Sequence, residues 1–498
     1  MFLISLFACT DMNVLSGTDM AMEDSTGVAI TGGGAQDFGK FKEILEEGGI
    51  PGPDTIDDVG FFAEHSIELP EPNCGDDSVC LHSQIGHMGN MINGSDCTVL
   101  QMGMNAPAEL VDWERPPLNL VVAIDVSGSM KGDNMDALKS GLGLMLPELQ
   151  PEDTVSFVTF NKRADAALVA APGDSPDIEQ AIEDLTPGGG TDIYEGLRTA
   201  YDVALDWDTE DNNTRILLVS DGVATEGLED TERIQGLAAA YWAEGYGVTT
   251  IGLGEDFDIE LMRGLAEEGG GSFYYLNDVD AVTEVFAEEV ASFLVPLAHD
   301  VTIDVAFYDD YLLRSVYGSH DFDLTDQRAR LDLDILQTAH RQGADDNESG
   351  RRGGGGAFIL ELLPMGEPDP GPIGRLEFAY TDTRTGERVI REQSIVSDVA
   401  PGSVGEAGHF DGATVEKGFV MLNTYVGFEI AAERSSHGDY NAAWSTLNAL
   451  DESLSGWLEL NPDADIEDDQ RYVRMFMDNI EENTGSIEVV EVEPWPSD

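Results

Sequence analysis

Between Leu118 and about Val295, near-continuous apolar runs alternate with amphipathic helical segments, and few folds accommodate that alternation. The runs are LNLVVAID, DTVSFVTFN, TRILLVSDG (Thr214 to Gly222), GVTTIGLG (Gly247 to Gly254) and GSFYYLN (Gly271 to Asn277). A strand that is apolar on both sides leaves no face for water. It belongs to a parallel sheet covered on both faces by helices, which segments such as DIYEGLRTAYDVALDW and LEDTERIQGLAAAYWAEG supply. The expected class is α/β, with a Rossmann-like, doubly wound parallel sheet over residues 118–297. Ligands of such sheets sit in the crevice at the carboxyl ends of the strands.

Three separated pieces of chemistry converge on that edge. The first apolar run ends in DVSGS, which carries Asp125, Ser127 and Ser129. GGGTDIYEGL puts Thr191 just ahead of a helix, and VSDG puts Asp221 just after a central strand. Two carboxylates and three hydroxyls form an all-oxygen set suited to a hard divalent cation, with Mg2+ expected first and Mn2+ or Ca2+ as alternatives. A lone D-x-S-x-S is equally at home as a capped helix start, since Ser and Asp are favoured there. The arrival of Thr191 and Asp221 at the same edge is what argues for a metal site. A cation held mainly by neutral hydroxyls and water keeps most of its charge, and an Asp or Glu of a partner protein would satisfy it.

These five positions, Asp125, Ser127, Ser129, Thr191 and Asp221, resemble the metal-ion-dependent adhesion site of the von Willebrand factor type A (VWA) domain, which integrin I domains share. The resemblance implies that Ser127 and Ser129 ligate the metal directly and that Asp125 and Asp221 act largely through bound water. It implies further that Thr191 moves between direct and water-mediated contact, and that shifts near Thr191 and in the last helix, AVTEVFAEEVASFL, couple affinity to conformation. The flanks, DFGKFKEILEEGGIPGP and GFFAEHSI before the domain and a β region and helices after it, resemble the bacterial VWA family with N- and C-terminal extensions. Some members of that family are called calcium-activated chloride channel-like. Channel activity is not carried over, because no segment approaches the roughly 20 apolar residues that span a bilayer.

Composition narrows the partner. With 25 basic against 97 acidic residues the net charge is −72, and the acid is spread along the whole chain. Such a field repels nucleic acid and anionic membrane surfaces, so polyanion binding is excluded. The start, MFLISLFACTDMN, resembles the end of a secretion signal with a bacterial lipobox, so an extracytoplasmic lipoprotein of the cell envelope or surface is expected. Membrane contact would then run only through lipid on Cys9. Cys74 and Cys80, near His82 and His87, match no standard zinc spacing, and a disulfide is the better expectation in an exported protein. With Cys9 lipidated, Cys74, Cys80 and Cys97 remain, so at most one disulfide forms within the chain and one thiol is left over.

The remaining organisation follows from pattern. Residues 1–36 read as signal and tether, Leu15 to Gln36 being small, polar and glycine-rich. Residues 37–117 form an N-terminal extension with one amphipathic helix (Phe38, Phe41, Ile44, Leu45), stopped by GGIPGP, and an edge strand near Cys97 to Ala106. Residues 298–400 alternate with period two, which predicts an antiparallel β domain interrupted by a solvated loop, Gly343 to Gly356. Residues 401–498 are a C-terminal helical region and acidic tail, with an αα-hairpin that keeps Trp444, Leu447, Leu450 and Leu454 at core spacing. NPDADIEDDQ (Asn461 to Gln470) lacks the turn glycine and closing glutamate of an EF-hand and reads as a solvated acidic loop.

Catalysis is not expected. No G-x-S-x-G, H-E-x-x-H or P-loop occurs, and no histidine accompanies Ser127 or Ser129 in sequence. Asp192 and Glu195 read as a helix N-terminal pair. The expected function is metal-dependent protein binding or adhesion, the cation capturing an acidic residue of the partner. The alternative is a structural envelope scaffold in which the metal only stabilises the fold.

Overall fold

The computed structural model describes residues 27–31, 34–35, 38–107, 116–209, 212–221, 223–254, 258–276, 282, 285–286, 296–338, 357–405, 408–490 and 492. Two sheets organise the chain, one of seven strands and one of eleven. The N-terminal segment contributes to both. Strand β1 (Gly27–Thr31) lies between distant strands of the larger sheet, and β2 (Gly34–Ala35) pairs with the edge of the smaller one. The expected tether is therefore strand over part of its length: Ile30 is buried, because its neighbours across the sheet are Met104 and Thr338. Its residues 15–26, Cys9 and the 343–356 insert lie outside the described residues.

Helices α1 (Gly39–Glu46) and α2 (Asp58–Ala63) follow, then β3 (Cys80–Gly89) and β4 (Asp96–Pro107). Phe41 and Leu45 are buried, and the chain leaves α1 through Gly48 at φ +80°, a conformation that favours glycine. The β4 strand corrects the edge assignment made for Cys97 to Ala106. It is interior: β3 covers one side along its length, while two strands share the other side end to end. Both of its faces pack, which alternation alone does not reveal.

The α/β region runs β5 (Leu118–Asp125), α3 (Asp133–Met145), β6 (Thr154–Phe160), β7 (Ala164–Pro172), α4 (Pro176–Asp184), α5 (Ile193–Trp207), β8 (Asn213–Ser220), α6 (Thr231–Trp242), β9 (Gly247–Leu253), α7 (Ile259–Glu268) and β10 (Ser272–Leu276). The seven-stranded order is β2-β10-β9-β8-β5-β6-β7. It is parallel except at β7, which runs antiparallel to β6. This class and these strands match expectation, apart from β7 and the added β2. The β5 strand is buried on both faces: Leu120, Val122 and Ile124 join one core, and Val121 and Ala123 the other. Burying a side chain of this kind stabilises by about 1.5 to 3 kcal/mol, which fixes the strand end that carries Asp125. Of the last expected helix, only Val282, Val285 and Phe286 are described, all buried.

Beyond it come β11 (Pro296–Phe307), β12 (Tyr311–Tyr317), β13 (Phe322–Thr325), β14 (Arg328–Thr338), β15 (Phe358–Pro364), β16 (Gly371–Asp382), β17 (Arg388–Ser397) and β18 (His409–Phe410). They are antiparallel, as period two requires, in the order β12-β15-β4-β1-β14-β11-β16-β17, with β13 on β14 and β18 and β3 beyond β4. The α/β region thus leaves β4 and returns to β11 of one sheet.

Helices α8 (Ala413–Ser436), α9 (Tyr440–Leu458) and α10 (Ala464–Thr484) close the chain. Leu447, Leu450 and Leu454 are buried as the spacing requires, and they share a core with Phe41, Phe61 and Val99. NPDADIEDDQ is not a solvated loop. Asp463 caps α10 by accepting from the backbone N–H groups of Asp465 and Ile466, and the segment is mostly helix. Asp465 and Asp469 are buried there against Lys417 (3.0 Å) and His65 (2.8 Å), partners that sequence proximity does not show. Among the described residues, no helix is long and apolar enough to cross a membrane.

Candidate metal centre

The carboxyl end of β5 delivers Asp125 into a buried position. Its Oδ1 accepts from the Ser127 backbone N–H at 2.7 Å, and its Oδ2 accepts from the Ser220 hydroxyl at 2.6 Å. Ser127 Oγ lies 2.9 Å from Ser129 Oγ, and the Ser129 hydroxyl donates to Asp221 Oδ1 at 2.8 Å. The other oxygen of Asp221 accepts from the Asn134 side-chain amide at 2.9 Å. Four of the five residues expected from sequence therefore form one hydrogen-bonded set, Asp125 joining it through the Ser127 N–H.

Thr191 is held beside them by its loop. Gly188 N–H donates to Val126 O at 2.7 Å and Gly128 N–H donates to Gly189 O at 3.1 Å, which ties the Thr191 loop to the serine loop. Gly189 adopts φ +115°, and a Cβ on Gly190 would stand 2.7 Å from Glu226 Cγ. Glycines there give the Thr191 loop room against Asn161 and Glu226. On its other side, Thr191 N–H donates to the Thr225 hydroxyl at 3.0 Å, and Thr191 O accepts from the backbone of Thr225 and Glu226. The Thr191 side chain is buried. Asp192 caps α5 by accepting from Glu195 N–H, the helix-start role expected of it.

Electrostatics favour a cation. Asp125 is pushed up to about 6, first by burial and also by the Asp221 charge, against the hydrogen bonds from Ser220 and Ser127. A buried carboxylate beside a second carboxylate is costly without positive charge nearby. The donors are all oxygen, three of them hydroxyl, which fits Mg2+, Mn2+ or Ca2+ and is poor for soft metals. Asp125, Ser127, Ser129, Thr191 and Asp221 are the residues that would hold such an ion. Sequence reasoning missed Ser220 and Asn134, which orient Asp125 and Asp221; the only signal was that Ser220 adjoins Asp221 and that Asn134 opens the next helix.

A second cluster stands elsewhere. Asp57, Asp58 and His320 bring ligand-type atoms within 4.8 Å of one another. Arg263 Nη1 lies 3.0 Å from Asp57, and both His320 nitrogens already meet carboxylates, Asp58 and Glu267, at 3.0 Å. That is an ion-pair knot between α2, α7 and the turn after β12. The cysteines also resolve: Cys74 and Cys80 form a disulfide with Cα atoms 5.4 Å apart, and Cys97 is free and buried. His82 and His87 bond to Asn105 and to Thr98 and Ser397.

Residues 119–288 match the family model of the von Willebrand factor type A domain. The chain is 30% identical over 197 residues to the uncharacterized protein YfbK of Escherichia coli strain K12, which covers 39% of this chain and 34% of that protein. It is 28% identical over 201 residues to human inter-alpha-trypsin inhibitor heavy chain H2, covering 37% of this chain and 20% of that one. The chain thus spans only about a fifth to a third of these relatives. The solved structure of a von Willebrand factor type A protein from Catenulispora acidiphila superposes with a TM-score of 0.50 at 15% identity, covering 78% of this chain and 89% of that one, a likeness of fold. The α/β region is a VWA domain.

Proposed function

We propose that this VWA protein binds a protein partner through a divalent cation, Mg2+ by the chemistry of its donors, held among Asp125, Ser127, Ser129, Thr191 and Asp221. VWA domains generally mediate protein–protein interaction or adhesion, and the reading here is of that kind and non-enzymatic. The observation that carries it is the chain of oxygens from Ser127 through Ser129 to Asp221, with Asp125 buried behind it. A bound cation supplies an open position for an anionic oxygen of the partner. Ser220 and Asn134 hold the two carboxylates in place, and Gly128 and Gly189 keep the Thr191 loop against the serine loop.

The setting is proposed as extracytoplasmic, in the cell envelope or at its surface with a lipid anchor at Cys9. The Cys74–Cys80 disulfide supports an oxidising compartment. The strands and helices either side of the VWA domain are read as the extensions of the bacterial family, without channel activity.

Calorimetric titration of Mg2+, Mn2+ and Ca2+ into metal-free protein and into Asp125→Ala tests the reading. With so acidic a surface only the difference counts: a one-site heat present in the native chain and lost in the variant is expected. Identical titrations would sink the metal site. If Thr191→Ala loses thermal stability but keeps partner capture, the structural-scaffold alternative stands instead.

A further inference from the structure

Positive charge is scarce in this chain, and where it remains exposed is informative. Of six lysines, Lys42 and Lys417 are spent on ion pairs within the extensions, Lys40 pairs with Glu43 along α1, and Lys139 donates to the Glu183 carbonyl. The other two, Lys131 and Lys162, are exposed on the loops that follow β5 and β6. Both loops belong to the candidate metal edge. Lys131 lies two residues beyond Ser129. Lys162 directly follows Asn161, whose side chain donates to Gly188 O at 2.9 Å and whose carbonyl accepts from Asp192 N–H at 2.7 Å, so it stands on the Thr191 loop. Arg163, next to it, is exposed as well.

Lys162 Nζ reaches across to Glu226 Oε1 at 2.5 Å, with the two side chains 61% and 41% exposed. Glu226 packs over Gly190 and donates its backbone N–H to Thr191 O at 3.1 Å. An exposed pair of this kind contributes little and exchanges readily for another carboxylate. A ligand carboxylate approaching a chain of net charge −72 meets repulsion at long range, which salt screens beyond about 8 to 10 Å. Local cations at the rim offset what remains.

Resting on the metal-bridged reading above, we infer that the partner presents an acidic segment, with further carboxylates flanking the one that meets the cation, and that Lys162 and Lys131 receive them. Glu226 holds Lys162 in the free protein and gives it up when the segment binds. These lysines set which partners are chosen; they take no part in holding the ion.

The test uses the full chain in Mg2+ with two synthetic peptides. One is a nine-residue glycine-serine peptide with a single central glutamate; the other carries an aspartate two residues to either side of that glutamate. The acid-flanked peptide is expected to bind about five- to tenfold more tightly at about 0.15 M ionic strength, where the long-range repulsion is screened. Lys131→Gln with Lys162→Gln should reduce that preference to below about twofold while leaving the Mg2+ heat unchanged, and Glu226→Gln should increase it. Equal binding of both peptides to the native chain, or a preference that survives the double substitution, overturns this inference alone. Binding of neither peptide, or binding that persists in Asp125→Ala, overturns the metal-bridged reading and this inference with it.

Discussion

His320 Nε2 lies 3.0 Å from Asp58 Oδ1, a contact between residues 262 positions apart. Asp58 begins α2 and also accepts from Gly318 N–H, while the other ring nitrogen of His320 faces Glu267 on α7 of the VWA domain. Three parts of the chain therefore meet at one imidazole. Asp57 adds a fourth link, to Arg263 on α7. The VWA domain, which carries the candidate metal edge, is locked to the scaffold at this point, away from the metal edge itself.

The charge of His320 should make that lock sensitive to alkali. Its pKa is raised from 6.5 to about 11, first by the hydrogen bond to Asp58, then by that to Glu267, with burial opposing. A raised histidine stabilises fully below its unfolded value and loses that contribution as pH climbs through the folded one, here across 6.5 to 11. Asp57, pushed up from 3.8 to about 6 chiefly by burial against His320 and Arg263, acts in the same sense at lower pH, stability falling as pH rises between those values. Denaturation midpoints measured from pH 6.5 to 10 should fall in the native chain and change less in His320→Gln. The variant should lose about 1 kcal/mol at pH 7, discounted for the exposure of the ring. Parallel pH profiles would show that the imidazole is not charged in the fold.

Asn134 offers a test of the candidate metal edge that avoids the proposed ligands. It donates to Asp221 Oδ2 from the first turn of α3, with no other role in the carboxylate set. Partners of this kind orient a ligating carboxylate, and their loss typically costs about 10- to 100-fold in metal affinity. Asn134→Ala should weaken Mg2+ affinity by at least about tenfold while the melting temperature of the metal-free protein stays nearly unchanged. Unaltered Mg2+ affinity would remove Asp221 from the metal set.

The parts of this fold that were legible in sequence are those whose reasons are local. The β5 strand announces itself because eight consecutive buried residues end in an acid. The parallel strands beside it read the same way, and Thr191 and Asp221 follow once strand ends are placed. Long-range reasons leave no such mark. GVAIT, set in a small, glycine-rich segment, becomes a strand because Met104 and Thr338 flank Ile30. ADAALVAAP is alanine-rich and half exposed, so β7 owes its form to β6. Asn134 and Ser220 carry no periodicity and emerge only from their distances.

NPDADIEDDQ shows the same limit in charge, and Lys417 makes it measurable. Its ammonium lies 2.8 Å from Asp463 and 3.0 Å from Asp465, and Asp465 is buried, accepting also from Ser66 N–H. Removing one member of a buried pair costs about 3 to 5 kcal/mol, because the other charge stays behind without compensation. Lys417→Met should lower the unfolding free energy by about that much in urea, and adding Asp465→Asn should recover part of it. A loss below about 1 kcal/mol would mean the pair is solvated, as an exposed pair is.

Gly196 connects packing to the metal edge. It lies in the first turn of α5, and a Cβ there would stand 2.5 Å from Phe160 Cδ1 and Cγ. Phe160 is fully buried, so it has little room to yield. Its carbonyl also accepts from Val126 N–H at 2.8 Å, next to Ser127. Overpacking of this kind typically costs about 1 to 3 kcal/mol, which here offsets the small helical gain from alanine. Gly196→Ala should therefore destabilise and also weaken Mg2+ binding, since relief of the clash moves either α5, whose start follows the Thr191 loop, or the strand end that positions Ser127. Phe160→Leu in the same chain should restore both, by giving the new methyl space. Loss of stability with unchanged Mg2+ affinity would separate the α5 packing from the metal edge.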